Sequence, residues 1–294
     1  AIVVMSQTNG SKLSREAAGE LAKLQAAYKD KGVLFYMINS NDSRDAAAAE
    51  AKSQKFAMPV LMDELQLVGE QLGYEREGEV FVITPKDGYK VAYHGPLDER
   101  FAKATPNVKA AAKDAYVARA LDAVLAGKAV ANPRVDVKAG KTIAFPERGK
   151  AAEHANISYS KEVYAIPQEK CVTCHQEGGI APFAMNSYEV VKGFAPMMLE
   201  SVMSERMPPY FADPHIGTFK NNHALSADQT KTLIHWLEAG APRGSGPDTL
   251  KEKAGKAPDW PVELGKPDVV VQLPSFNVPA SGTVEYQTMQ VDNP

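Results

Sequence analysis

The chain has 294 residues, 44% hydrophobic and 23% charged, which is ordinary globular composition and enough for two domains. A net charge of −3 argues against a general binder of nucleic acid or anionic membranes, and no apolar run reaches the length of a membrane span. Both cysteines, Cys171 and Cys174, fall in one motif and so say nothing about a disulfide framework.

Residues 1–127 alternate strand and helix signals. Ala1 to Met5 is a short apolar run of the kind a buried parallel strand shows. Ser14 to Lys31 reads as an amphipathic helix with Ser14 as N-cap, Leu21, Leu24 and Tyr28 on one face, and Gly32 as its stop. Val33 to Ile38 is a second strand, Ser43 to Phe56 an alanine-rich helix, Pro59 to Met62 a third strand, and Leu65 to Leu72 a short helix ended by Gly73. Glu79 to Thr84 and Tyr89 to His94 form a hairpin about Pro85-Lys86-Asp87-Gly88, and a long helix runs from about Val108 to Leu125. The order βαβαβαββα, with its crossover helices, predicts a parallel sheet.

Residues 128–158 read as a proline- and lysine-rich linker, part of it laid along the domains as extended chain, with His154 a solvated loop histidine. Residues 159–243 are helical. Ser160 to Lys170 forms a helix bent or ended by Pro167, with Val163 and Ile166 inward. Tyr188 to Arg206 is interrupted near Gly193 and Pro196, and Ser226 to Ala239 closes the domain, capped by Ser226 and stopped by Gly240. His235 is expected at the surface of that last helix. Residues 244–294 comprise a second polar linker, anchored by Trp260, and two strand signals at 268–274 and 283–287. Two strands cannot close a sandwich, so this tail calls for packing on the rest of the chain or for a partner.

The chemistry sits in Cys171-Val172-Thr173-Cys174-His175. In C-x-x-C-H two thiols can each add to a haem vinyl group, and the histidine that follows lies under the iron. The other reading is a C-x-x-C thiol–disulfide pair followed by chance by a histidine. Gly178-Gly179-Ile180-Ala181-Pro182-Phe183 then supplies a tight loop in which Ile180 and Phe183 can lie against a porphyrin. The sixth iron ligand decides the role, since a thioether favours electron transfer and an open position favours peroxide chemistry. Met207 is preferred because it ends a helical stretch and Pro208-Pro209 make the following loop rigid. His215 and His223 would give a bis-histidine site, whereas Met185, Met197, Met198 and Met203 read as core or helix filler. Trp236 packs on the haem edge or in the core.

Two resemblances follow from these phrases. Ala27-Tyr28-Lys29-Asp30-Lys31-Gly32-Val33, Pro59-Val60-Leu61-Met62-Asp63 and Glu79-Val80-Phe81-Val82-Ile83 resemble the thioredoxin-like redoxins of the peroxiredoxin and thiol-disulfide oxidoreductase group. The family's reactive cysteine is replaced by Ser11 and its cis-proline by Glu77-Gly78, so the resemblance implies a catalytically dead domain kept for docking or assembly. Ile180-Ala181-Pro182-Phe183, Arg206-Met207-Pro208-Pro209-Tyr210, Ala212-Asp213-Pro214 and Trp236-Leu237-Glu238-Ala239-Gly240-Ala241-Pro242 resemble the class I cytochrome c module of multidomain bacterial proteins, which continue into a copper type II monooxygenase domain similar to peptidylglycine hydroxylating monooxygenase. None of that enzyme's histidine copper motifs is present.

The fold expected is therefore an α/β thioredoxin-like domain, an all-α cytochrome c domain with one covalent haem c, and a short β extension. The expected function is periplasmic or extracellular transfer of single electrons to or from a partner oxidoreductase, the export signal having been removed and the chain not turning over substrate by itself. The alternatives are the electron-input part of a copper monooxygenase and a haem peroxidase-like enzyme.

Overall fold

The computed structural model describes residues 1–105, 109–210, 212–213, 216–220, 222–258, 260, 264–288 and 290. The expectations placed on Val108, Pro214 and His215 lie outside them. The chain divides into two compact units, Ala1–Asn156 with Ser226–Lys231, and Ile157–Leu225 with Thr232–Pro294. Among the described residues no helix is long and apolar enough to cross a membrane.

The first unit is built on β1 (Ile2–Ser6), α1 (Lys12–Ala27), β2 (Leu34–Asn39), α2 (Arg44–Gln54), β3 (Val60–Met62), α3 (Leu67–Leu72), β4 (Glu79–Thr84), the single turn α4 (Lys86–Tyr89), β5 (Lys90–Pro96) and α5 (Tyr116–Leu125). The strands form one sheet in the order β3-β2-β1-β4-β5. β1, β2 and β3 run parallel, whereas β4 is antiparallel to both β1 and β5, so the sheet is mixed and not wholly parallel as the element order predicts. The reason is the length of α3. Six residues span about 9 Å at 1.5 Å per residue, too little to carry the chain back along a strand, so β4 starts near where β3 stops.

Two local boundaries also differ. α1 is capped by Ser11, whose hydroxyl accepts the Ser14 amide, while Ser14 lies inside the helix and donates its own hydroxyl to Glu77. α5 starts at Tyr116 because the Glu99 carboxylate takes the amides of Lys113 and Asp114. The stretch expected as a linker lies against the first unit as a strap. The His94 amide donates to the Pro133 carbonyl at 2.8 Å and the Val135 amide to His94 at 3.0 Å, along the edge of β5. Further on, Thr142 lies opposite Arg76, and Ile143 and Phe145 are buried with Val4, Ile38, Tyr74 and Phe81. His154 ends the turn α6 (Ala151–His154) with Nε2 3.2 Å from the Glu147 carboxylate, so it is a paired residue and not a solvated one.

The second unit is helical: a wide turn at Tyr159–Val163, then α7 (Ala165–Lys170), α8 (Tyr188–Gly193), α9 (Ala195–Met203), α10 (Ala227–Glu238), of which the residues from Thr232 on belong to this unit, and the turn α11 (Thr249–Glu252). Pro167 sits in the first turn of α7, where its missing N–H costs nothing, and does not end the helix. Tyr159, Val163, Ile166, Tyr188, Val191 and Leu233 are buried. Asp248 ties this core together, accepting the Tyr159 hydroxyl at 2.5 Å and the Tyr188 amide at 2.8 Å. His235, expected at the surface, is only 5% exposed, because α10 buries five consecutive residues from Leu233 to Leu237. Among the described residues, the tail segments 268–274 and 283–287 form no strand and pair with none, contrary to the strand signals in the sequence. Val270, Leu273 and Val278 stand exposed there.

Candidate haem site

α7 delivers the chain directly into the motif. Cys171 caps its C-terminus, with its amide donating to the Pro167 carbonyl at 2.9 Å. The amides of Cys174 and His175 both donate back to the Cys171 carbonyl, at 3.1 and 2.9 Å. One tight turn thus gathers two free thiols and an imidazole. Cys174 is exposed and Cys171 half-buried. Burial, and then the neighbouring Cys174, push the Cys171 thiol up to about 12, the opposite of the depressed value a thiol–disulfide nucleophile has.

His175 is buried, and its Nδ1 lies 3.0 Å from the Phe183 carbonyl oxygen. A carbonyl only accepts, so Nδ1 carries the proton and Nε2 presents its lone pair. Among the described residues Nε2 has no hydrogen-bond partner. The loop that brings Phe183 back is tied at both ends: the Ala181 amide donates to Cys174 at 3.1 Å and the Met185 amide to His175 at 2.8 Å. Gly179 is required for this closure, because a Cβ there would stand 2.4 Å from the Cys174 carbonyl oxygen. The Phe183 ring lies 4.6 Å from the imidazole and stacks on Phe194 at 3.8 Å.

The structure therefore brings Cys171, Cys174, His175 and Phe183 together. Ile180, in the same loop, is 91% exposed. Met207 follows α9, its amide and that of Arg206 both held by the Ser201 carbonyl, and its side chain is 42% exposed ahead of Pro208. No hydrogen bond or ring contact among the described residues links Met207, Pro208 or Ile180 to His175. His223 is exposed, with its ring edge-on to Tyr210 at 6.4 Å. Met185 and Met198 are buried. Trp236 is fully buried beside Tyr159 and donates its indole N–H to the Pro242 carbonyl at 2.9 Å, a core position. The residue that sequence reasoning missed is Phe194. Its signal was its place between two interrupted helical stretches.

A bare ring nitrogen, two adjacent thiols at haem spacing and exposed apolar side chains in the surrounding loops form a donor set and lining that fit a covalent haem c.

In the first unit, Ser11, which the redoxin resemblance places at the thiol position, spends its hydroxyl on capping α1. Gly78, with φ of 78°, precedes β4 where the resemblance places a proline. Strand order and helix placement make this unit a mixed α/β domain of the thioredoxin-like class. No protein-family model and no curated protein matches the chain. Among solved structures, the chain is similar to hypothetical protein SMc02350 from Sinorhizobium meliloti 1021, with 27% identity, a TM-score of 0.41, and coverage of 48% of this chain and 78% of that one. It is also similar to an uncharacterized conserved protein from Geobacillus kaustophilus, with 27% identity, a TM-score of 0.39, and coverage of 49% and 78%. A third, peroxidoxin BcpB from Mycobacterium tuberculosis, has 19% identity and a TM-score of 0.26, over 28% of this chain and 59% of that one.

Proposed function

We propose that the chain is a c-type electron carrier of the periplasm or cell exterior, passing single electrons to or from a partner oxidoreductase through one haem c. The observation that carries this is the His175 Nδ1–H bond to the Phe183 carbonyl within a C-x-x-C-H turn. Cys171 and Cys174 would provide the thioether links, and His175 Nε2 and the Met207 sulfur would bind the iron. Bound there, the haem supplies reversible one-electron chemistry at iron. The protein's own part is to fix the tautomer of His175, to hold Met207 at the end of α9, and to line the site with Ile180, Phe183 and Pro208.

The exposed apolar residues of the tail favour a second, compatible reading. A segment such as Val269 to Leu273 suits pairing with another sheet, consistent with a haem that feeds a monooxygenase partner.

Spectroscopy of the haem-loaded chain tests the proposal. The ferric protein is expected to be low-spin and six-coordinate, with a sulfur-to-iron charge-transfer band that Met207→Ala abolishes. A high-spin, peroxide-reactive ferric iron in the unsubstituted chain would sink electron carriage in favour of an enzyme.

A further inference from the structure

We infer that Phe194 is a positioning residue for the iron ligand: it sets the strength of the His175 hydrogen bond by holding Phe183. This rests on the reading of His175 as the proximal ligand. Phe194 occupies the joint between two helices, closing α8 and opening α9. Its amide donates to Val190 at 3.1 Å, and its carbonyl accepts the Met198 amide at 2.9 Å, so its backbone is fixed from both sides. Its ring stacks on Phe183 at 3.8 Å and 14°, nearly parallel. Phe183 in turn offers its carbonyl to Nδ1 of His175 and its ring to the imidazole. The loop carrying Phe183 has no regular structure of its own; backbone bonds tie it at Ala181 and Met185, and between those ties the stack on a helix joint adds the hold on Phe183 itself.

The consequence is electronic. A firm Nδ1–H bond makes Nε2 more basic, and a more basic axial ligand favours ferric iron. Loosening it is expected to raise the reduction potential and to speed solvent exchange of the Nδ1 proton. The exchange increase is about tenfold if one ordinary hydrogen bond is lost.

The experiment uses the full haem-loaded chain. Reduction potential is measured by redox titration and Nδ1–H exchange by NMR with nitrogen-labelled histidine. Phe194→Leu and Phe194→Met remove the stacking face while keeping apolar volume, and Phe194→Tyr retains the ring. The first two are expected to shift the potential upward and accelerate exchange, with Phe194→Tyr at the unsubstituted values. Lower thermal stability with unchanged potential and exchange would make Phe194 an ordinary core residue and overturn the inference. So would a tyrosine variant shifted as far as the leucine one. If instead His175→Ala leaves the axial ligation of the unsubstituted chain intact, the reading of the site itself fails, which is a different result.

Discussion

At the level of single residues, the first unit stakes most on Glu79. This buried carboxylate accepts His94 Nε2–H and, through Oε1, the amides of Glu75 and Arg76 at 2.9 and 2.8 Å. His94 stacks on Phe81, and its Nδ1 accepts from Arg134 of the strap. Burial alone would raise the Glu79 pKa. The His94 bond and the two amides outweigh it and hold the carboxyl below its ordinary value of 4.5. A depressed carboxylate contributes stability that is present above pH 4.5 and lost as pH falls through the folded value. Glu79→Gln is therefore expected to cost about 2–3 kcal/mol near neutral pH, by urea denaturation, and the two proteins should converge in acid. A gap that stays constant into acid would show that the charge is not what matters. The C-x-x-C-H turn was legible in the sequence because its chemistry is local. The Glu79–His94–Arg134 chain and the Phe183–Phe194 stack were not, because their members lie far apart in sequence and only the fold joins them.

Among the elements, β2, α2, the β4–β5 hairpin and α9 fell close to their expected places. In the sequence the strap reads only as a linker partly laid along the domains, because an extended segment with a proline and no repeat looks the same whether solvated or packed. What places it is contact. The Lys141 amide donates to the Glu77 carboxylate at 3.0 Å, and Arg76 donates to the Gly140 carbonyl at 2.9 Å. Gly140 has φ of 80°, and a Cβ there would stand 2.6 Å from Glu77 Cγ and 2.9 Å from the Glu77 carbonyl. Gly127 is a natural control, with φ of 67° and open space where its Cβ would be. Gly140→Ala is expected to destabilise the first unit by about 2–4 kcal/mol, combining left-handed strain with overlap, and Gly127→Ala by about 1–2 kcal/mol from strain alone. Equal losses in thermal denaturation would mean the strap sits loosely on the sheet.

For the molecule as a whole, the two units divide the work unevenly. The first has a mixed five-stranded sheet, and the Ser11 hydroxyl, which the redoxin resemblance places at the thiol position, is committed to a helix cap and has no accessible redox couple. On the proposed function, electron chemistry falls to the second unit, in residues 171–175. Two chemistries compete there, and they leave different marks on the same sulfurs. A thiol pair cycles between two free Sγ atoms and one disulfide, so after reduction both cysteines accept an alkylating reagent and the chain keeps the mass of its amino acids. Haem attachment converts each Sγ to a thioether, which reductants do not reverse. The chain made in a host that exports it and attaches haem should therefore be heavier by one haem. After reduction and denaturation it should take up no alkyl groups. Uptake of two at the bare polypeptide mass would leave a C-x-x-C redox pair as the sole centre. The raised pKa of Cys171 adds a kinetic expectation for the haem-free chain: Cys174, exposed, reacts first, and Cys171 lags at neutral pH because little of it is thiolate.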